Sequence, residues 1–128
     1  MSTAPRLRHH GAWLAVGWGL VLLVVYLSLT PDPVDAGQVG SVSCGHFLAY
    51  FVLMFWFAQL YRSRSALLGL AAAFALLGVT LELAQWMTTY RTFDFADMRD
   101  NALGVAVGFA LGNTPLGLTL SRLERWAG

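Results

Sequence analysis

The sequence predicts an all-α integral membrane protein, a bundle of four transmembrane helices whose two termini both lie in the cytoplasm. Three observations predict this fold class: an apolar composition, four apolar stretches of spanning length, and an uneven distribution of arginine. Hydrophobic residues make up 57% of the 128 residues and charged residues only 12%, whereas soluble domains carry about 25% charged residues. A soluble core of this size cannot bury so much apolar surface, so lipid is the expected surroundings.

The apolar stretches cover about residues 12–29, 44–60, 66–87 and 97–120, and residues 1–128 are predicted to form one membrane domain. Each stretch approaches the roughly 20 residues that cross about 30 Å of hydrocarbon. Helix is the expected state because a spanning segment has to satisfy its own backbone polar groups. The first stretch is interpreted as an uncleaved helix, since it exceeds the usual 7–15 apolar residues of a signal peptide.

Orientation follows from arginine, the only strongly basic residue type in a chain without lysine. Cytoplasmic loops are enriched in basic residues. Six of the eight arginines fall on one side of a four-span chain, which predicts a multi-pass protein of the bacterial cytoplasmic (inner) membrane with internal termini. Those six are Arg6, Arg8, Arg62, Arg64, Arg122 and Arg125, against Arg91 and Arg99 on the other side.

Charge and cysteine content exclude several function classes. The net charge of +1 gives no electrostatic support for binding nucleic acid. Cys44 is the single cysteine, which excludes an internal disulfide and a cysteine-rich metal site. We therefore expect no bound metal and no cofactor.

Polar residues that are capable of acid–base chemistry or of binding a ligand gather at the predicted outer ends of the second, third and fourth helices. Residues three or four apart share one helix face, so each helix should direct its polar pair the same way. Arg91 is the nearest candidate partner for a carboxylate, because its planar guanidinium suits bidentate binding. The candidate functional cluster comprises His46, Glu82, Gln85, Arg91, Asp97 and Asn101.

A glycine stripe continues the face of Asn101 along the fourth helix through Gly104 and Gly108. Glycine at this spacing lets a neighbouring helix approach closely. We expect this face to be the protein-facing one, which turns Asp97 and Asn101 into the bundle.

Plainer interpretations stay open. Glu82, Gln85 and Asn101 are also suited to cross-linking helices, Asp97 to stabilising a helix N-terminus, and His46 to an interfacial position without a ligand. Arg99 and Asp100 are expected to be solvated, and His9 and His10 to be tail residues rather than metal ligands.

The joined set of motifs resembles the VanZ-like family of small bacterial membrane proteins, named after a teicoplanin-resistance factor. The motifs are Gly45-His46-Phe47-Leu48-Ala49-Tyr50, then Glu82-x-x-Gln85, then Arg91-Thr92-Phe93-x-x-x-Asp97-x-x-x-Asn101-x-x-Gly104-x-x-x-Gly108. The resemblance implies an integral membrane protein, functional roles for the six cluster residues, and a role in the cell envelope linked to glycopeptide susceptibility. One departure is that Val42 and Ser43 stand where the family commonly has Asp-Lys.

Two function classes compete at this stage. The first is a non-enzymatic envelope protein that binds a membrane lipid or a lipid-linked cell-wall precursor at the outer cluster. The alternative is a membrane-embedded hydrolase or transferase acting on a lipid head group, with His46, Glu82 and Asp97 supplying acid–base chemistry or ligating a divalent cation. A third hypothesis is a small channel or transporter subunit. Four short spans can form a channel only as an oligomer, so a homo-oligomer is a possible assembly of this protein.

Overall fold

The computed structural model describes residues 7–30, 37–40, 42–88 and 95–128. The predicted all-α class is confirmed for these residues. A two-stranded antiparallel hairpin, β1 (Gln38–Val39) and β2 (Val42–Ser43), leads directly into the second helix, and a 3-10 helix, Pro115–Leu118, precedes the last one. The described helices are α1 (His10–Leu29), α2 (Cys44–Leu60), α3 (Arg64–Trp86), α4 (Phe95–Gly112) and α5 (Thr119–Ala127).

Helix α2 forms the centre of the bundle, with α1, α3 and α4 packed around it. Its Leu53, Met54 and Ala58 are fully buried. Against α3, Phe57 packs on Phe74 with ring centroids 5.4 Å apart. The core therefore surrounds one short helix, and the other helices leave much of their own apolar surface outside.

Helices α2 and α4 are parallel neighbours, because their first turns meet at His46 and Asn101 and their last turns meet at Ala58 and Gly112. The closest packing in the bundle joins α2 to α4, which is not its neighbour in sequence. We call the two ends of the bundle the His46 end and the Arg62 end, after the residues in the first turn of α2 and just beyond its last turn.

The exterior of the helices is apolar. Leu22, Tyr26 and Leu76 are among the large side chains that remain exposed along α1 and α3. By length and composition, α1 and α3 can each cross a membrane, and α4 together with the helices after it forms a third, bent candidate. Helix α2 is a shorter apolar helix of 17 residues, which extends about 26 Å. These helices are those of a membrane protein.

The fourth predicted span, about residues 97–120, is wrong as a continuous helix. Helix α4 ends at Gly112, and the segment from Pro115 to Ala127 is bent by 75° from it. The break arises because Pro115 lacks an N–H donor, while the Thr114 hydroxyl accepts a hydrogen bond from Leu116 N (3.2 Å) and starts a new helix. The last two turns of the predicted span thus lie at an angle to the bundle.

Candidate functional site at the His46 end

His46 lies in the first turn of α2 and faces the first turns of α4. Its Nδ1 is 3.0 Å from Asn101 Oδ1, and its Nε2 is 3.4 Å from Asp97 Oδ2. The side chains of His46 and Asp97 are 25% and 24% exposed, whereas Asn101 is buried. The pair therefore forms a partly open entrance above a buried amide.

Both ring nitrogens of His46 are engaged, and both face oxygen atoms. Because Asn101 Oδ1 and Asp97 Oδ2 are both acceptors, the His46 ring can donate to both only when both of its nitrogens carry hydrogen. A half-turn of the Asn101 amide would instead let its Nδ2 donate to a neutral ring. The arrangement can thus hold the imidazole in either charge state, at the expense of one amide rotation.

Buried polar groups of α2 and α3 lie near this entrance. Glu82 is 1% exposed, and Tyr50 is buried beside it, close enough for an electrostatic interaction between the carboxylate and the hydroxyl. The Tyr50 hydroxyl is buried with no hydrogen-bond partner among the described residues. Gly78 permits this meeting of helices, since a Cβ there would lie 3.2 Å from Asn101 Nδ2 and 3.4 Å from Tyr50 Cε1.

Asp100 is buried, contrary to the prediction from the sequence. It was expected to be solvated with Arg99, but it is 1% exposed. Its Oδ2 accepts a hydrogen bond from Ser43 N (2.8 Å), and its Oδ1 accepts from Arg99 Nε (3.0 Å) and Nη2 (2.8 Å). The signal was present, because Asp100 precedes Gly104 by four residues and so shares the protein-facing side of α4.

Gln85 and Arg91 complete the predicted set. Gln85 is buried, but its amide donates to Ser28 O (2.6 Å) and so cross-links α3 to the end of α1. Arg91 lies outside the described residues, as does its predicted pairing with Glu82 or Asp97. The structure therefore brings His46, Asp97 and Asn101 into direct contact and buries Glu82 near Tyr50, which lies one turn along α2 from His46.

The glycine stripe sets how closely α4 approaches α2 below the site. A Cβ on Gly104 would overlap the carbonyl oxygen of Phe47, and a Cβ on Gly108 would lie 2.8 Å from Phe51 O and 2.9 Å from Met54 Cβ. Backbone therefore meets backbone along this interface. This approach fixes the distance between His46 on α2 and the polar residues on α4.

Chemically, the site offers carboxylates, an imidazole, an amide and a phenol at the end of an apolar bundle. Within the part of the chain that the structure describes, no three His, Cys, Asp or Glu side chains are placed to hold a metal ion. Because both nitrogens of His46 already have contacts, the imidazole has to leave one of them before it can accept a proton from a substrate. The arrangement suits hydrogen bonding and charge pairing with a polar head group.

Comparison with known proteins bears on the same residues. A family model described as VanZ/LLP1 matches residues 26–116, which confirms the predicted resemblance and includes the whole cluster. The chain is also 31% identical over 95 residues to an uncharacterized protein of Schizosaccharomyces pombe, C11E3.10, covering 72% of this chain and 58% of that protein. It thus spans little more than half the length of this relative. No solved structure matches the chain.

Proposed function

The chain belongs to the VanZ/LLP1 family, and we propose that it is a four-span protein of the bacterial inner membrane that binds a lipid or lipid-linked group at the His46 end. With both termini in the cytoplasm, this end faces outward. The proposed ligand is a membrane lipid or a lipid-linked cell-wall precursor, and the proposed consequence is altered susceptibility to glycopeptides such as teicoplanin.

The observation that supports this proposal is the partly open His46–Asp97 pair at the same end as the buried Glu82. Ionisable groups in spanning helices are costly, by about 2.5–3.5 kcal/mol each at the bilayer centre, and usually mark function. A polar head group that reaches His46 and Asp97 can exchange hydrogen bonds with them without opening the core. The buried Glu82 carboxyl then contributes to the electrostatic preference of the site.

Within the proposed ligand class, one observation favours a membrane lipid over a peptidoglycan precursor. A relative occurs in fission yeast, a fungus, whose wall is not built of peptidoglycan. Ser43, which stands where the family commonly has lysine, offers Asp100 its backbone N–H, while Arg99 supplies the cation.

The test uses Asp97→Asn and Glu82→Gln, which remove charge while nearly conserving shape. Growth is measured under teicoplanin and other cell-wall antibiotics, with protein level and melting temperature measured from the same cultures. We expect both variants to accumulate and melt like the wild type but to lose the envelope phenotype. The matched control is Glu124→Gln, which makes the same chemical change at the Arg62 end and should leave the phenotype in place.

Two results would count against the proposal. A full wild-type phenotype from both variants removes the site. If the phenotype falls only in proportion to the amount of protein, and Glu124→Gln shows the same relation, then the cluster has only a structural role.

The second candidate, a hydrolase or transferase acting on a lipid head group, is favoured by one observation, the contact of His46 Nε2 with Asp97, since a carboxylate often orients a basic imidazole. Purified protein incubated with head-group-labelled phospholipids distinguishes the candidates. Binding predicts retained lipid without turnover. Head-group release that His46→Gln abolishes would establish the enzyme instead.

The proposed orientation is tested through Cys44, the only thiol, at the first position of α2. It is half-buried and free. A membrane-impermeant maleimide should label it in intact spheroplasts, and Cys44→Ala provides the blank. Labelling only after permeabilisation would reverse the orientation.

A further inference from the structure

A groove lies at the end of the bundle opposite the His46 site, between the start of α3 and the end of α4. It is a half-open groove of about 960 Å³ lined by residues 62 to 65 on one side and by Phe109, Ala110 and Asn113 on the other. None of these residues belongs to the His46 site. The groove joins a basic, hydroxyl-bearing rim to an apolar wall.

The rim carries positive charge that the described carboxylates do not neutralise. Arg62 and Arg64 both line it, and none of the ion pairs found among the described residues includes either of them. Arg62 directs Nη1 to the backbone carbonyls of Gly112 (2.6 Å) and Ala58 (3.3 Å), and these neutral partners leave its full charge in place. Arg64 is exposed at the first position of α3.

The start of α3 adds to this field. The Ser63 hydroxyl caps the helix by accepting from Ala66 N (3.3 Å), and the first turn contains no acidic residue. A helix N-terminus has a partial positive charge and unpaired N–H groups, both of which favour an anion. Two arginines, the hydroxyl of Ser65 and this helix end therefore converge on one rim.

The opposite wall gives the occupant its second property. Phe109 is half-buried and Ala110 exposed, and both belong to the end of a helix that the proposed topology places at the membrane boundary. A soluble anion gains nothing from this surface, whereas a lipid has acyl chains to lay against it. Basic pockets between transmembrane helices on the cytoplasmic side are suited to anionic lipid head groups.

We infer that this groove binds an anionic phospholipid, with the phosphate at Arg64, Ser65 and the start of α3 and an acyl chain along Phe109 and Ala110. The site is distinct from the His46 site and does not depend on the ligand proposed there. Its occupant holds the end of α4 to the start of α3, two elements that meet here without a described side-chain hydrogen bond between them.

Native mass spectrometry of the full chain, released from dodecyl maltoside micelles, tests the inference with phosphatidylglycerol and phosphatidylcholine of equal chain length. We expect the wild type to retain one phosphatidylglycerol in preference to phosphatidylcholine. Arg64→Gln should weaken retention about fivefold, the value for one basic residue at a membrane surface. Arg125→Gln is the matched control, since it removes the same charge from exposed α5 at the same end and should leave retention unchanged.

Further arms separate a lipid site from simpler explanations. Ala110→Trp fills the wall without removing charge and should also reduce retention, whereas Arg64→Lys should restore most of it. Displacement of the lipid by millimolar inorganic phosphate would make this a free-anion site, and equal losses in Arg64→Gln and Arg125→Gln would make the attraction a diffuse surface effect. Either result, or equal retention of both lipids by the wild type, overturns the inference. Melting temperatures verify that each variant is folded, and the antibiotic phenotype should stay intact in all of them.

Discussion

Among the described contacts, the charged side chains of the Arg62 end bond mostly to backbone groups, whereas those of the His46 end bond mostly to other side chains. Arg62 Nη1 contacts carbonyl oxygens from three elements: Ala58 of α2 (3.3 Å), Gly112 of α4 (2.6 Å) and Gly117 of the 3-10 helix (3.4 Å). The last carbonyls of a helix lack intrahelical partners and carry partial negative charge. One guanidinium thus terminates two helices and braces the 75° bend after α4.

Glu124 plays the complementary part for α1. Its carboxylate accepts hydrogen bonds from the backbone N–H of Arg8 (2.6 Å) and His9 (2.9 Å) and from Trp13 Nε1 (2.8 Å). These N–H groups lie at a helix start, where donors are unpaired. His9 and His10 are therefore not the tail residues that were expected, since His10 also lies within 3.3 Å of Leu60 O.

The His46 end differs in the partners that its ionisable groups choose. His46 contacts the side chains of Asp97 and Asn101, and Arg99 contacts Asp100. Such contacts are not required to finish a helix, and two of the groups stay partly open. The bonding partner of an ionisable residue therefore indicates its role in this protein. Backbone partners indicate a structural role, and side-chain partners near an opening indicate a functional site.

The largest expected effect falls on the interface that both ends share. Gly108→Leu places a side chain where a Cβ alone would already lie 2.8 Å from Phe51 O, so α2 and α4 have to separate. Overpacking usually costs about 1–3 kcal/mol, and backbone contact puts this change at the upper limit. We expect a lower yield of folded protein in detergent, and loss of both the outer phenotype and lipid retention.

Gly19→Leu is the matched control for that change, because a Cβ at Gly19 on α1 meets nothing within 4 Å. It should accumulate and melt like the wild type. If Gly108→Leu does the same, α2 and α4 are not held together by backbone contact, and the two ends need not depend on one another.

The second effect in size is confined to the Arg62 end. Arg62→Met keeps much of the side-chain volume but leaves the carbonyls of Gly112 and Gly117 without this donor. A charged hydrogen bond contributes about 1.5–3 kcal/mol, so we expect a loss of about 2 kcal/mol in the free energy of unfolding. Urea or thermal denaturation in detergent measures this loss. Arg64→Gln should leave stability nearly unchanged. If Arg62→Met protein is folded but has lost the antibiotic phenotype assigned to the His46 end, then the two ends do not act separately.

Much of this arrangement could be predicted from the sequence. Apolar length located the helices, and spacing of three and four residues placed His46, Asp97 and Asn101 on facing sides. The same spacing predicted close approach at Gly104 and Gly108, where the structure has backbone contact. Periodicity was sufficient for these features because each depends on one helix and the face that it buries.

Other features depend on contacts between distant segments, which periodicity does not report. Glu124 meets residues that precede it by more than 110 positions, and a helical wheel gives no sign of such a partner. Asp100 was expected to be solvated, although its helix face favoured burial. The break after Gly112 was missed because apolar residues continue past Pro115 and mask the change of direction.

A smaller effect is expected for Asp100→Asn, which tests a charged group of the His46 end that bonds both to a side chain and to a backbone N–H. Asparagine can still accept from Ser43 N, but it loses the charged contact with Arg99, whose side chain is 46% exposed. Half-exposed pairs contribute at most about 1 kcal/mol, so we expect a loss of that order in thermal unfolding. In a double-mutant cycle, Arg99→Gln should cost less once Asp100 is neutral than it costs in the wild type. Full additivity would mean that the two side chains act independently.

The smallest expected effect is a dependence of stability on pH that arises at Glu124, in α5 beyond the bend. Desolvation raises the pKa of its carboxyl, but hydrogen bonds from His9 N, Trp13 Nε1 and Arg8 N, with the nearby His9 imidazole, outweigh it and hold the pKa below its ordinary value of 4.5. A group whose pKa is lower in the folded state stabilises that state fully above the unfolded value, and the contribution disappears as pH falls through the folded value. The wild type should therefore melt above Glu124→Gln by a constant margin at neutral pH, and this margin should shrink as the pH falls below about 4.5. His9→Asn introduced into both proteins removes the imidazole, so that a remaining shrinkage reports the backbone and indole hydrogen bonds alone. A margin that widens on acidification would mean that the carboxylate is not the form that α1 binds, and the architectural role assigned to the Arg62 end would then rest on Arg62 only.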